Sequence, residues 1–372
     1  MSDKSKKNNI GQKISGIIIL VAAGVCGGLA GLLLARAEDQ GLDFWVGMLV
    51  MVLAVYGAML IQTIVHEAGH LAFGLVTGYE FSSFRIGSLM FIKEDGKMKL
   101  RKFSIAGTAG QCLMSPPDLV DGKMPVALYN MGGCIFNLIL SALFGAIAYV
   151  RRENPIEFIV YVAVAVIGVV FALTNGIPMM VGPISNDGHN AFSLGKNPKA
   201  MHAFWLQLKI NNEQSKGMRL REMPKSWFPV PADEDMDNGL VAALAVFHAS
   251  WLVDQLRLEE AAEYIKNLLG KETGLVGLHR SLLICERIYC ELVAKKNTSE
   301  AIYLHNKEYE KFVQSMKNTP SVIRSEYAYA LLADKDEKKA EELLTRFEKV
   351  SKTYPYPREI EAERELIDLV NG

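Results

Sequence analysis

The chain has 372 residues, half of them hydrophobic, and its 40 basic and 41 acidic side chains leave a formal net charge of −1. Only 26 of these charged residues lie in residues 1–185. So few charges cannot cover a soluble surface, which excludes a wholly soluble enzyme, a secreted disulfide scaffold and a disordered protein. The near-zero net charge gives no reason to expect a nucleic-acid partner.

Four stretches of the sequence contain no Asp, Glu, Lys or Arg. Each could cross the roughly 30 Å hydrocarbon core of a membrane, which requires a helix of about 20 residues. We therefore predict four transmembrane helices. The uncharged stretches are residues 14–35, 44–66, 124–150 and 158–186, with 22, 23, 27 and 29 residues.

The first stretch follows a lysine-rich segment and could instead be a signal peptide. Its apolar run is longer than the roughly 7–15 residues typical of such a segment, so we expect a retained helix. Cleavage would not alter the orientation of the remainder.

The distribution of Lys and Arg predicts the orientation. Four lysines precede the first stretch and seven basic residues lie between the second and third, whereas the two opposite loops hold only Arg36, Arg151 and Arg152. Because cytoplasmic loops are enriched in Lys and Arg, both termini and the charged half are expected in the cytoplasm. The prediction is a multi-pass protein of a bacterial cell membrane.

The second stretch runs into the sequence His66-Glu67-Ala68-Gly69-His70. Residues four apart share one face of a helix, so the two imidazoles could bind one metal ion. Glu67 beside them could take a proton from water on that metal. A Glu within lipid costs about 2.5–3.5 kcal/mol even on the lenient insertion scale, which favours a function. The alternative is a helix that ends at the interface, with both histidines reaching towards water.

Hydrolytic zinc sites use three protein ligands and keep a fourth position open, so a third ligand is expected. Asp187 ends the fourth stretch on the same side of the membrane as the histidines. Pro178 and Pro183 predict a broken helix there, which is tolerated at membrane depth only around a cavity. Two alternatives stay open: Asp187 could cap a helix that starts near His189, or His189 could be the third ligand.

These residues resemble the motifs of the site-2 protease family, which are intramembrane zinc metalloproteases. The resemblance covers roughly residues 44–190 and implies one Zn²⁺ per chain, bound by His66, His70 and Asp187, with Glu67 as the general base. It also implies that Asn137 and Asn175 orient the substrate. The segment between Pro178 and Asp187 is a few residues longer than is usual in the family. The motifs are His66-Glu67-Ala68-Gly69-His70, Gly133-Cys134-Ile135-Phe136-Asn137, Asn175-Gly176-Ile177-Pro178 and Asp187-Gly188.

Between the second and third stretches, residues 81–92 and 97–105 predict a membrane-associated β-hairpin with its turn at residues 93–96. It is either a surface connection between two helices or a hairpin directed towards the active site. In the second case its edge could pair with a substrate in extended conformation.

The charged half predicts an interfacial helix over residues 200–210 and then a proline-containing linker that extends to residue 232. From residue 233 the pattern predicts amphipathic helices in which Ala261, Ala301 and Ala340 recur at spacings of 40 and 39 residues. This pattern resembles degenerate tetratricopeptide repeats, and the alternative is an ordinary helical bundle. We expect this half to bind a protein partner, a substrate tail or another copy of the chain.

The predicted fold is thus mainly α, a polytopic membrane protein with four transmembrane helices, a β-hairpin and a cytoplasmic all-α repeat domain. The predicted function is a zinc metalloendopeptidase that hydrolyses a peptide bond in a membrane-associated protein or peptide. Such a substrate would be a regulator, a signal-peptide remnant or a peptide-signal precursor. The alternative is a catalytically silent membrane receptor or scaffold of the same fold. The predicted divisions are residues 1–43, 44–190, 191–232 and 233–372.

Overall fold

The computed structural model describes residues 3–94, 97–103, 108–181 and 184–371. The chain is mainly helical, with a small antiparallel sheet. It divides into two compact units, which cross the divisions expected from the sequence. We call residues 1–81 and 109–198 the apolar unit, and residues 82–108 and 199–372 the charged unit.

The apolar unit contains four helices long and apolar enough to cross a membrane, as predicted. Large apolar side chains such as Leu49, Leu53 and Leu143 are more than half exposed on them, which is a surface suited to lipid rather than water. The second helix runs nine residues past Glu67, so it does not end at the two histidines. The helices are α1 (Asp3–Asp39, with Leu20–Asp39 as its apolar part), α2 (Phe44–Val76), α3 (Ala127–Val150) and α4 (Pro155–Gly176).

Helices α2 and α3 touch through their backbones. A Cβ atom on Gly69 would overlap with the carbonyl group of Gly132, and one on Gly132 would overlap with that of Gly69. Glycine is therefore required on both sides of the contact. The close approach brings α3 within hydrogen-bonding distance of the histidines on α2.

The break predicted around Pro178 is present. Helix α4 ends at Gly176, and the chain then forms two short strands before helix α5 begins at Asp187. The two strands pair antiparallel, with Met180 opposite Ser185. The elements are β5 (Met180–Val181), β6 (Ile184–Ser185) and α5 (Asp187–Ser193).

The predicted hairpin is a three-stranded antiparallel meander. Residues 81–92 do not form one strand, because the chain turns at Gly87, where a φ of +58° suits a residue without a Cβ atom. In the register, Phe91 lies opposite both Phe84 and Leu100. A further strand, β4, packs against α2 in the apolar unit and was not predicted. The strands are β1 (Glu80–Ile86), β2 (Leu89–Glu94), β3 (Lys97–Lys102) and β4 (Gly110–Ser115), and parts of the predicted turn and of the segment to residue 105 lie outside the described residues.

The charged unit is otherwise helical. The recurring alanines are buried, with exposures of 0%, 0% and 2% for Ala261, Ala301 and Ala340. The first two lie on helices that pack against α9, and the third lies on a helix that packs against α12. The helices are α6 (Pro198–Ser215), α7 (Gly239–Asp254), α8 (Leu258–Leu269), α9 (Gly277–Val293), α10 (Thr298–Leu304), α11 (Lys307–Ser315), α12 (Pro320–Tyr329), α13 (Glu337–Ser351) and α14 (Pro357–Asp368).

Helix α6 contains the segment predicted as an interfacial helix, residues 200–210. Its apolar side chains are buried or half-buried, and Ala203 and Leu206 pack with Val241 and Leu244 of α7. Protein therefore covers part of the apolar face, and a position at the membrane surface stays a prediction. The segment expected to be a linker is also packed, since Met223 and Phe228 join the main core of the charged unit.

A network of buried charges lies within the charged unit. The guanidinium of Arg324, with no exposed surface, donates to both Glu286 and Glu363. A second guanidinium, that of Arg219, bridges Asp254 and Glu365. Buried charges of this kind need both a counter-ion and hydrogen bonds, so the network specifies how α7, α9, α12 and α14 meet.

We expect Gly69→Ala to lower the free energy of unfolding of the full chain in detergent by about 1–3 kcal/mol, because the added methyl group forces two helix backbones apart. The matched control is Gly57→Ala on the same helix, where an added Cβ meets nothing within 4 Å. Thermal unfolding of both variants tests the expectation. Equal midpoints for the two would contradict the contact.

The charged unit should become less stable as the pH rises. Burial, together with the nearby carboxylates of Glu363, Glu286 and Asp254, raises the pKa of Glu359 from an ordinary 4.5 to about 7. Between these two values the folded state binds more protons than the unfolded state, so stability falls as the pH rises through that window. The thermal midpoint should therefore fall between pH 5 and pH 8, less steeply in Glu359→Gln. Glu361→Gln on the same helix should behave as wild type, and an identical slope in all three proteins would contradict the assignment.

Candidate metal centre

Two imidazoles and one carboxylate converge inside the apolar unit. The Nε2 atoms of His66 and His70 lie 3.1 Å apart. The Oδ2 atom of Asp187 lies 3.0 Å from the first and 3.4 Å from the second. Among the described residues, no other group of three or more His, Cys, Asp or Glu side chains shares this geometry.

The Nδ1 atom of each imidazole, which points away from the converging group, lies at hydrogen-bonding distance from an acceptor. His66 Nδ1 lies 2.7 Å from Asn137 Oδ1, and His70 Nδ1 lies 2.8 Å from the carbonyl oxygen of Tyr129. We therefore assign the proton of each ring to Nδ1, which leaves the Nε2 lone pair directed inward. This is the arrangement in which metal-binding histidines are usually held.

Asn137 is itself held in place. Its Nδ2 donates to the backbone carbonyl and to the Oε1 atom of Gln62, at 2.9 and 2.7 Å. The amide of Gln62 in turn donates to the carbonyl of Val164 on α4, at 2.9 Å. Both side chains have no exposed surface, so one buried chain of hydrogen bonds orients His66 and links three helices.

Glycine also allows the close approach of α3 to His66. A Cβ atom on Gly133 would lie 2.5 Å from His66 Cε1, well inside van der Waals contact. The Gly133-to-Asn137 motif therefore has two distinct roles, since the glycine leaves space for the ring and the asparagine fixes its tautomer.

Asn186 positions the third member of the group. Its Nδ2 donates to the carbonyls of Thr174 and Ile177, and its Oδ1 accepts from the backbone N–H groups of Met179 and His189. Asn186 thus connects the C-terminal end of α4 to the start of α5 through hydrogen bonds. Because Asn186 is the N-cap of α5, the alternative in which Asp187 caps the helix is wrong.

The arrangement suits a proton or a cation at its centre. With both Nδ1 protons directed outward, two imidazole lone pairs and one carboxylate oxygen face one another at 3.0–3.4 Å. Three acceptors so close repel one another unless a proton or a metal ion lies between them. Tetrahedral zinc with bonds of about 2.0–2.2 Å sets its ligands roughly 3.3–3.6 Å apart, so the three atoms would move apart by only a few tenths of an ångström to accommodate it. The donor set therefore fits zinc.

Glu67 is buried next to the group, with 9% of its surface exposed. Strand β4 packs on it, since a Cβ atom on Gly110 would lie 2.7 Å from Glu67 Oε1, and the backbone of Cys112 hydrogen-bonds to its carboxylate. Strand β4, which the sequence did not predict, therefore holds Glu67 beside the two histidines.

Asn137 lies behind His66 with both ends of its amide hydrogen-bonded, so its contacts fix the orientation of that imidazole. Its predicted role in orienting a substrate stays a prediction. Asn175 donates to the carbonyl of Phe171 on its own helix, at 3.0 Å. His189 is not part of the converging group.

Sequence reasoning missed Gln62 and Asn186. Gln62 lies one helical turn before His66, and it is a polar residue in an otherwise apolar run. A search for charged residues does not detect it. Its amide would nevertheless be costly in free energy to bury without a hydrogen-bond partner.

Comparison of the chain with models of protein families, with curated proteins and with solved structures finds no match. The assignment of a function therefore depends on the residues and geometry of this chain.

We expect Asn137→Ala to weaken zinc binding by roughly 10–100-fold, because the tautomer and orientation of His66 would no longer be fixed. The matched control is Asn130→Ala on the same helix, where the buried amide donates to the carbonyl of Val126 one turn earlier. Competition with a chelator on the purified full chain measures the affinity. Equal zinc affinity in the two variants would refute the orienting role of Asn137.

Proposed function

We propose that the protein is a zinc metalloprotease that hydrolyses a peptide bond within, or at the surface of, a membrane. The observation that supports this most directly is the convergence of His66 and His70, on a helix of membrane-spanning length, with Asp187 at the start of α5 and Glu67 beside them. A Lewis-acidic metal with an adjacent carboxylate is one set of groups that can hydrolyse an amide.

Zinc in this site would polarise the scissile carbonyl and increase the acidity of a water molecule. Glu67 would accept a proton from that water and later donate it to the departing amine. The two imidazoles and the carboxylate of Asp187 would hold the metal. Asn137 would keep His66 oriented, with its Nε2 directed inward throughout.

The buried position of these groups supports catalysis. The side chains of His66 and His70 are each 10% exposed, and that of Asp187 is 24% exposed. In so dry an environment a charged group acts more strongly on its neighbours than in water. Asp187 is the most accessible of the three, so the substrate would approach from the break between α4 and α5.

The substrate class follows from the surroundings of the site. An apolar helix of membrane length carries the two histidines, and two more such helices pack against it, so we propose a membrane-spanning or membrane-tethered protein or peptide as the substrate. Such a segment must be opened from its helix before its peptide bonds are accessible. We further propose that the charged unit recognises the part of the substrate outside the membrane, or a protein partner.

We expect Glu67→Gln to reduce the rate of peptide cleavage by about 10²–10⁴-fold while zinc remains bound, since it removes the base and leaves the ligands unchanged. Asp187→Ala should lose both zinc and activity. His189→Ala is the control and should keep both. The measurements are metal content by mass spectrometry and cleavage of membrane-segment peptides by the purified full chain.

Two outcomes would contradict the proposal. Wild type without stoichiometric zinc would refute the metal centre. Wild type that cleaves none of the peptides, together with a cellular phenotype that Glu67→Gln leaves unchanged, would favour a catalytically silent membrane receptor or scaffold of the same fold.

A further inference from the structure

A large groove lies within the charged unit, between the meander and helix α13. Its volume is about 780 Å³, within the roughly 300–1,000 Å³ that is typical of ligand sites. Three parts of the chain line it. These are the end of the meander at Lys102 and Phe103, residues 315–319, which lead from α11 to α12, and the face of α13 that contains Glu342 and Lys349.

The meander is fixed against the other walls of this groove. The N–H group of Lys102 donates to the carbonyl oxygen of Thr353 at 3.3 Å. The ring of Phe103 packs edge-on against those of Tyr354 and Tyr356, with centroids 5.7 and 5.9 Å apart. Specific contacts therefore hold the groove open, and part of its floor is aromatic.

The groove has an excess of positive charge. Opposite the single carboxylate of Glu342, four basic side chains line it, namely Lys102, Lys317, Arg346 and Lys349. All four residues are exposed, and none of their side chains forms a salt bridge with another described residue. On the neighbouring helix α14, by contrast, Arg358 and Arg364 are both paired with glutamates. An anionic partner would supply the counter-charges that the groove lacks.

The spacing of the cations matches that of side chains in an extended peptide. Arg346 and Lys349 are three residues apart on α13, so their Cβ atoms are neighbours on one helix face, about 5–6 Å apart. In an extended chain, alternate side chains lie on the same side and are about 6.6 Å apart. The part of α13 that lines the groove, from Glu342 to Val350, rises by about 12 Å, the length of about four extended residues.

We propose that this groove binds an acidic peptide segment in extended conformation. Its carboxylates pair with the four cations, and its apolar side chains pack against Phe103 and Met316 on the floor. The inference deepens the proposed function and rests on it for the identity of the partner, which is the part of the substrate outside the membrane. Binding itself requires neither zinc nor cleavage, because the groove shares no residue with the metal centre.

The shape of the groove favours a peptide over an anionic membrane surface. The cations line the walls of a concave site, which a flat layer of lipid headgroups does not enter. An exposed ion pair contributes little by itself. Cations that share one cleft act together, because the field is focused there and less water screens it.

The test uses the full chain in non-ionic detergent micelles and measures the fluorescence anisotropy of labelled peptides. The first probe is an octapeptide in which glutamate alternates with leucine or serine, and the second has glutamine at each glutamate position. A short-chain phosphatidylglycerol, added as a competitor, represents the membrane surface. We expect the acidic peptide to bind at least about tenfold more tightly than its amide counterpart, and more weakly as salt is added. The lipid should not displace it.

Two variants locate the binding. Arg346→Glu combined with Lys349→Glu should weaken binding of the acidic peptide at least about tenfold, because two attractions become repulsions. Thr345→Trp keeps every charge and should weaken binding to a similar extent, since the indole fills space in the groove that this threonine lines. The control is Lys266→Glu combined with Lys307→Glu, which makes the same change in net charge at two exposed lysines that do not line the groove. It should bind as wild type does.

Thermal unfolding shows whether each variant is folded, and zinc content and cleavage of membrane-segment peptides are measured in parallel. Wild type that binds zinc and cleaves, yet does not bind the acidic peptide, would overturn the groove and leave the proposed function intact. Wild type that binds the acidic peptide but holds no zinc would overturn the proposed function and leave the groove as a peptide site.

Three further results would overturn the inference. Equal binding of the amide counterpart would show that charge is not recognised. Displacement by the lipid would assign the groove to a membrane surface. Unchanged affinity in either folded groove variant would show only a general attraction between opposite charges.

Discussion

The apolar unit brings together three atoms that each carry a lone pair and therefore repel one another. Two imidazole nitrogens and a carboxylate oxygen face one another at 3.0–3.4 Å, and a proton or a bound cation between them would make that arrangement favourable. Hydrogen bonds hold both imidazoles in place. The carbonyl of Tyr129 accepts from His70, and Asn137, itself bonded to Gln62, accepts from His66.

Backbone contact is the means by which these groups meet. Helices α2 and α3 touch at Gly69 and Gly132, and α5 touches the end of α4 at Gly188, where an added Cβ would overlap with the Gly176 carbonyl. Larger residues at these positions would push the backbones apart and lengthen the hydrogen bonds between the helices. The break in α4 is equally necessary, because a continuous helix would carry Asp187 past the histidines. Asn186 satisfies the backbone groups that the break exposes.

The buried charges of the two units have different surroundings. In the apolar unit, Glu67 and Asp187 are the acidic groups at the proposed metal centre, and glycines, a strand and buried amides position them. In the charged unit, buried ion pairs organise helix packing around Arg324.

The sequence by itself determined the four apolar helices, the break near Pro178, and the identity of His66, Glu67, His70 and Asp187 as candidates, because these depend on local patterns of charge, spacing and proline. It did not determine which residue caps α5, that strand β4 supports Glu67, or that residues 82–108 belong with the charged unit. It also did not determine that α7 packs on α6, since an amphipathic face has the same pattern whether protein or lipid covers it. Contacts between residues far apart in the chain, such as Gln62 with Asn137 or Arg324 with Glu363, have no local signature. Only the tertiary structure decides them, because they depend on which helix faces meet.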